Sequence, residues 1–314
     1  MHSKETALIT GVNGFVGHHL SHHLSQLGYT VCGTDRDQVC KSEHVEHYFP
    51  ADIRNSQAVT DLMSRFNYSR IFHLAAISNL LQADSSPRLT MEVNLLGTID
   101  LLDAAVEVGS KAKILLIGSS KQYAGDQENV LTEQSELYPK SFYGISKLAC
   151  ELSAKRYESQ TGLDLYYTRS FNHTGPGQSP DFVCSEWARQ VAMIEKGASE
   201  PVLRVGNLNA TLDFSDVRDV ANAYFLILER GRSSEVYNVC SGDSIPLSFI
   251  ANYLTSKTKQ HIRVETCPEM IQGNGRSTVQ RGDNSKLVQD TGWKREFSME
   301  ETLDDLYRYW MERV

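Results

Sequence analysis

The chain has 314 residues, enough for one large α/β domain or two closely packed ones. Hydrophobic residues make up 40% and charged residues 22%, and the formal net charge is −8, so no basic excess exists to neutralise a nucleic-acid backbone. Six scattered cysteines without a C-x-x-C pair speak against a metal site or a disulfide framework and for a reducing cytosol. The N-terminus carries no signal-peptide core and no long apolar run follows, which predicts a cytoplasmic protein with no membrane segment.

Strand and helix patterns alternate through the first 120 residues, the signature of a parallel sheet, and the strand–helix order, repeated six times, predicts a doubly wound one. Thr6 to Thr10 reads as a short strand. Gly17 to Leu27 reads as an amphipathic helix with Leu20, Leu24 and Leu27 on one face, stopped by Gly28. Thr30 to Thr34, Arg70 to Ala75, Ala112 to Gly118 and Leu163 to Arg169 read as further strands. Thr90 to Val108 and Tyr143 to Gln160 read as helices. The pattern breaks after Asn172, at His173-Thr174-Gly175-Pro176-Gly177. We expect a nucleotide-binding domain over residues 1–172 and a smaller substrate lobe over 173–314, with a segment near 209–242 returning to the first domain.

Between the first strand and helix lies Gly11-Val12-Asn13-Gly14-Phe15-Val16-Gly17. Its three glycines suit a tight turn, an approach of backbone to phosphate and a close helix–strand packing. The helix that follows offers its N-terminal amides and dipole to a pyrophosphate. Asp35, at the end of the second strand, is placed for a ribose hydroxyl, whereas the adjacent Arg36 suits a 2′-phosphate. The two cues leave NADH and NADPH both open. Asp52-Ile53 suits an adenine contact, or simply a turn acid ahead of a helix.

Tyr143 and Lys147 stand four residues apart, on one face of a helix. A phenol has a pKa of about 10, and a neighbouring ammonium lowers it. Such a pair can pass a proton to a carbonyl oxygen while hydride arrives from a nicotinamide. Ser119 or Ser120, after the fifth strand, can add a hydroxyl to the same oxygen. A Tyr-x-x-x-Lys alone also describes a surface helix, but here it follows a complete nucleotide-binding pattern. The histidines 18, 19, 22 and 23 have metal-ligand spacing without a third ligand, and read as an exposed polar face. No metal is expected. Trp187 reads as core, and Tyr307, Tyr309 and Trp310 as the packing face of a last helix.

The chain resembles the extended short-chain dehydrogenase/reductases over nearly its whole length. The resemblance is carried by Gly11 to Gly17, His73-Leu74-Ala75-Ala76-Ile77-Ser78, Val93-Asn94-Leu95-Leu96-Gly97-Thr98, Gly118-Ser119-Ser120, Tyr143 to Lys147 and Arg169-Ser170-Phe171-Asn172. Asn172 to Gln178, Phe182-Val183, Ala188-Arg189-Gln190, Val205-Gly206-Asn207-Leu208 and Asp213 to Val220 are similar to the branch that processes GDP-mannose, above all its reductases. The resemblance implies reduction of a GDP-linked 4-keto-6-deoxy sugar to GDP-D-rhamnose, in a homodimer paired through the helices around 90–108 and 143–160.

It also implies residue roles. Tyr143 would protonate the nascent alkoxide, Lys147 would hold the nicotinamide ribose, and Ser119 would share the oxygen. Leu74, Ala75, Ala76, Ser78, Asn94 and Phe171 would line the coenzyme. Ser78, Ser119, Ser120 and Asn172 would meet sugar and diphosphate. Val183, Arg189, Asn207 and Leu208 would line the guanosine pocket, and Arg276 would bind diphosphate. Dehydratases of the branch carry a base glutamate two residues after the Ser/Thr. Here Lys121 stands there, which points to a reductase or epimerase. The branch's arginine before its Asp-Phe is Leu212 here, with Arg218 or Arg204 to compensate on phosphate. The alternatives are a nucleotide-sugar 4-epimerase built from the same parts, and a non-catalytic NAD-binding protein.

Overall fold

The computed structural model describes residues 4–124, 130–268 and 279–314. In chain order the strands are β1 (Thr6–Thr10), β2 (Thr30–Asp35), β3 (His47–Pro50), β4 (Arg70–His73), β5 (Lys113–Ser119), β6 (Asp164–Ser170), β7 (Asn172–Thr174), β8 (Val202–Val205), β9 (Thr211–Asp216), β10 (Val236–Val239), β11 (Ser244–Pro246), β12 (Arg263–Thr266) and β13 (Val279–Gln280). The helices are α1 (Phe15–Gln26), α2 (Ser56–Met63), α3 (Leu80–Ser85), α4 (Pro87–Met91), α5 (Gly97–Glu107), α6 (Phe142–Thr161), α7 (Val183–Glu195), α8 (Val217–Arg230), α9 (Leu247–Thr255), α10 (Ser285–Thr291) and α11 (Met299–Met311).

Seven strands form one parallel sheet in the order β10-β6-β5-β4-β1-β2-β3. Side chains alternate across it, as a pleated strand requires. Ala7 and Ile9 of β1 enter one core with Leu20 and Leu24 of α1 and Val220, Tyr224 and Ile227 of α8. Leu8 enters the opposite core with Val59 and Leu62 of α2 and Leu101, Leu102 and Ala105 of α5. Both faces are thus covered by helices, as an all-parallel sheet demands. Strand order reverses between β1 and β4, so a crevice opens beyond their C-terminal ends.

The chain departs from the sheet after β6 and returns. α8 packs on α1, β10 pairs with β6, and Leu287 and Trp293 join the first core. The remaining lobe is built on a third core, where Trp187, Ala188 and Val191 of α7 meet Leu203, Ile250, Leu254, Leu303 and Leu306. Trp187 is core, as expected. Tyr307 and Trp310 pack on the same cluster, and the Trp310 indole donates to Ser185 at 3.0 Å.

The expected helix over 90–108 is interrupted. α4 ends at Met91, a π-helical turn runs Glu92–Leu96, and α5 begins at Gly97. Such a widened turn is frequent at functional sites. The histidine-rich helix divides in two. His18 and His22 are exposed, but His19 bonds the Pro176 carbonyl at 2.8 Å and His23 packs edge-on to Phe225. Half of the supposed polar face therefore joins α1 to the rest of the molecule.

Candidate active site

The glycine turn is dictated by crowding. Gly11 has φ +72°, and a β-carbon there would lie 2.8 Å from the Ala75 amide; at Gly17 it would lie 2.6 Å from the carbonyls of Gly11 and Val12. Gly14 stands at the N-cap of α1, whose first amides face the crevice. Phe15 stacks on His173 at 6.1 Å, and Val16 packs on the first core. The Asn13 side chain works sideways, donating to the Val39 carbonyl at 3.0 Å and accepting from the Lys41 amide at 2.8 Å, so it shapes the loop after β2. Its backbone amide donates to Asp35 at 3.3 Å. Arg36 projects into solvent beside Asp35.

The glycines let the turn pack against the end of β4 and the start of α1, the tight strand–turn–helix that suits a dinucleotide's pyrophosphate. Asp52 sits in a local ion pair. Its carboxylate is gripped by the Arg54 side chain at 3.0 and 3.1 Å, which holds it below the usual carboxylate pKa, and Ile53 is buried against the position of Gly97. Phe171 is buried. Its ring lies in a core cluster with Tyr123, and its amide is used by the Val239 carbonyl.

β4 ends in a buried relay. The Ala75 amide donates to Thr10 Oγ1 at 3.2 Å, Thr10 Oγ1 meets His73 Nδ1 at 2.8 Å, and His73 Nε2 meets Thr98 Oγ1 at 2.9 Å. Thr98 donates to the Asn94 carbonyl at 2.6 Å, so it must accept from His73. That assigns the proton to Nε2 and leaves Nδ1 to accept from Thr10. Burial, then the charge of Lys147, drive the His73 pKa down to about 3, in keeping with a neutral ring.

Asn94, on the π turn, is wholly engaged. Its side chain accepts from the Ile77 amide at 2.8 Å and donates to the Ile77 carbonyl at 3.1 Å and to Ser146 at 2.9 Å. It ties the segment Leu74, Ala75, Ala76, Ile77, Ser78 to α6. Ser78 is exposed at the end of that segment.

α6 starts at a cap, with Ser141 accepting from the Gly144 amide at 3.1 Å. Gly144 lets the helix press onto the turn after β5, since a β-carbon there would stand 2.3 Å from the Lys121 carbonyl oxygen. This approach brings Tyr143 to Ser119. Ser119 and Ser120 are both buried, and the Ser119 hydroxyl acts on the phenol to lower its pKa. Ser119 Oγ already accepts from the Lys121 amide at 3.2 Å, so its hydrogen is free to point at the phenol oxygen.

Burial raises the Tyr143 pKa and the Ser119 bond pulls it back. The lowering expected from Lys147 does not appear. Lys147 is 7% exposed, burial depresses its own pKa, and the groups it couples to are Cys150 and His73. Among the described residues it makes no hydrogen bond or ion pair.

The substrate side divides. Val183, Leu208 and Leu212 share the rim of the third core, with Asn207 beside them. Asn172 donates to the Asp213 carbonyl at 3.0 Å. Arg189 is held by Glu186 at 2.8 and 2.9 Å on its own helix. Arg218 is paired: Asp216 and Asp305 take its guanidinium at 2.7 and 2.8 Å, over the Phe297 ring. Arg204 is exposed, with Glu200 4.0 Å away. Arg276 lies outside the described residues.

A family model described as GDP-mannose 4,6 dehydratase matches residues 8–306. The chain belongs to the GDP-mannose 4,6-dehydratase family. It is 31% identical to GDP-6-deoxy-D-mannose reductase of Pseudomonas aeruginosa over 98% of this chain and 97% of that protein. The structure of RMD from Pseudomonas aeruginosa complexed with NADPH superposes at a TM-score of 0.86, with 28% identity over 99% of this chain and 100% of the other. Thermus thermophilus UDP-glucose 4-epimerase in complex with NAD gives 0.86 at 26% identity, over 98% and 100% of the two chains.

Sequence reasoning passed over Gln122 and Glu151 as site residues. A signal existed: Tyr143, Lys147 and Glu151 recur every four residues, a polar line on a helix face along which the structure buries Lys147 and Glu151.

Proposed function

We propose that the protein reduces the 4-keto group of a GDP-linked 4-keto-6-deoxy sugar, GDP-4-keto-6-deoxy-D-mannose, to GDP-D-rhamnose, with NADPH or NADH as reductant. The carrying observation is a half-buried phenol whose pKa burial raises and the Ser119 hydroxyl pulls back, with a lysine one helical turn away, beside a glycine-lined crevice at the sheet's switch point.

The reduced nicotinamide coenzyme supplies hydride when bound. Gly11, Gly14, Gly17 and the first amides of α1 would hold its pyrophosphate, Asp35 and Arg36 its adenosine ribose, and Lys147 its nicotinamide ribose. Everything else falls to side chains. Ser119 donates to the ketone oxygen and Tyr143 transfers its proton as alkoxide develops there. A phenol whose pKa is raised keeps that proton at neutral pH, the state a reduction needs. Lys121 occupies the place of the dehydratase glutamate, so that position offers no carboxylate base for water elimination. That favours reduction over dehydration.

The relatives include UDP-sugar 4-epimerases, so hydride recycling on tightly held NAD is the second reading. Incubation with GDP-4-keto-6-deoxy-D-mannose and reduced coenzyme decides: the coenzyme is oxidised stoichiometrically by a reductase. Turnover no greater than that of Tyr143→Phe overturns the proposal, and NAD retained through purification favours the epimerase.

We further infer a homodimer. Leu96 on the π turn and Ile145 and Leu152 on α6 are 49, 40 and 57% exposed, an apolar stripe at helical spacing suited to a second copy. Among the described residues no helix is long and apolar enough to cross a membrane. All six cysteines are free thiols, in keeping with a reducing cytosol.

A further inference from the structure

Behind Ser119 lies a buried polar chain that the reductive mechanism above does not use. Gln122 is fully buried and bridges in two directions. Its Oε1 accepts the Ser119 backbone N–H at 2.8 Å, and its Nε2 donates to Glu151 Oε2 at 2.7 Å. Glu151 is held in turn by Arg169, whose Nε and second terminal nitrogen donate to its two oxygens at 3.0 and 2.8 Å; both side chains are 4% exposed. Lys155 adds a contact at 2.8 Å from the solvent side. The remaining Arg169 nitrogen donates to the Glu133 carbonyl at 2.9 Å and to the Tyr123 hydroxyl at 3.3 Å. Tyr123 donates to Asn238 at 2.6 Å. The chain therefore runs from the sheet-edge strand β10 through β6 and α6 to the residue that touches Tyr143.

The chemistry admits one orientation. Glu151 presents only acceptors: burial pushes its carboxyl up, and Arg169 and Lys155 more than reverse this, so it is ionised. The amide nitrogen of Gln122 must face it, and the amide oxygen must face Ser119. A carboxylate at 122 would stand against Glu151, and an apolar side chain would leave the buried Ser119 amide unpaired. Gln122 also closes a reciprocal cap. The Ser119 hydroxyl holds the Lys121 amide while Gln122 holds the Ser119 amide. Two bonds thereby fix the rotation of the Ser119 backbone and of its side chain.

We propose that Gln122 is a positioning residue for ketone reduction: anchored by the Glu151–Arg169 pair, it fixes the Ser119 backbone and hydroxyl beside Tyr143, where both would meet the ketone oxygen. This rests on the reductive reading above. The substitution Gln122→Met keeps the length and removes both bonds. Displacing Ser119 by a fraction of an ångström lowers kcat by about ten- to a hundredfold, with KM for sugar nucleotide and coenzyme within about twofold. In a double-mutant cycle with Ser119→Ala, adding Gln122→Met costs no further activity, because its effect travels through the missing hydroxyl. The Tyr143 phenol, measured in ligand-free protein by phenolate absorbance against Tyr143→Phe, titrates higher in Gln122→Met than in the parent. Gln122→Asn, which keeps the amide one methylene shorter, gives the same readings at smaller size and replaces the Met variant if that does not fold.

Losses that multiply in the double mutant, a rise in KM with kcat unchanged, or an unmoved Tyr143 titration each overturn the positioning role. If Ser119→Ala and Tyr143→Phe themselves leave turnover intact, the reductive reading fails instead, and the phenol titration, which needs no substrate, still decides the role of Gln122.

Discussion

Tyr143 is more a guarded acid than an activated base. A phenol removed from water resists ionisation, and here the one bond that favours the phenolate comes from a hydroxyl, not from an ammonium. In ligand-free protein Tyr143 should titrate above the ordinary value of about 10, and Ser119→Ala should raise it further, both readable by ultraviolet titration. Tyr143→Phe should lower kcat by roughly a hundred- to ten-thousandfold while coenzyme affinity holds, because the proton donor is lost and the cradle is not. The positions of Tyr143, Lys147 and Ser119 were legible in the sequence, since helical spacing and order along the chain suffice to find them. Their electrostatics were not. Whether Lys147 tunes the phenol depends on burial and on Cys150 and His73, none of which a four-residue spacing encodes. The pairing of Arg218 was hidden for a related reason: its partner Asp305 lies 87 residues on.

At the level of elements, α1 and α6 each begin where the site needs them, and each depends on a glycine that lets backbone meet backbone. Gly17→Ala forces a β-carbon into two carbonyl oxygens and should weaken coenzyme binding and lower the melting temperature together, as followed by thermal shift with and without NADPH. The exposed stripe on α6 makes a separate prediction. Leu152→Arg should convert a dimer to a monomer by light scattering, with little change in the fold, since Leu152 touches solvent in the single chain. Helices and strands with strong periodicity were readable to within two residues, as with α6 over Phe142–Thr161. The π turn at Glu92–Leu96 was not, because a single widened turn leaves the apolar spacing almost unchanged while it reorients one carbonyl, that of Asn94.

On the scale of the molecule, Asp219 binds α8 to the segment before α11. Its carboxylate accepts the amides of Glu296 and Phe297 at 3.0 and 3.1 Å, and its carbonyl takes the Trp293 indole at 3.0 Å. Burial raises its pKa to about 6, against about 3.9 in an unfolded chain. The folded state then holds a proton that the unfolded state has released between those values. The Asp219 contribution to stability is therefore greatest near pH 4 and is lost as pH rises through 6. Denaturation series across pH 4–7 should show this slope, and Asp219→Asn should flatten it. The parallel sheet was legible from alternating strands and helices; the pairing of β10 with β6 and the place of Trp293 under the first core rest on contacts more than 60 residues apart, which no local pattern records.

That interleaving bears on how the protein comes off the ribosome. When residue 172 has been joined, Leu20, Leu24 and Tyr166 exist, but Val220, Tyr224 and Ile227 that cover them, and later Tyr237, Leu287 and Trp293, have yet to be translated. The N-terminal half cannot finish folding as it emerges. It waits, oily and with a free strand edge at β6, until all but the last few helical turns are made, and so it is a natural client for a chaperone that holds nascent chains.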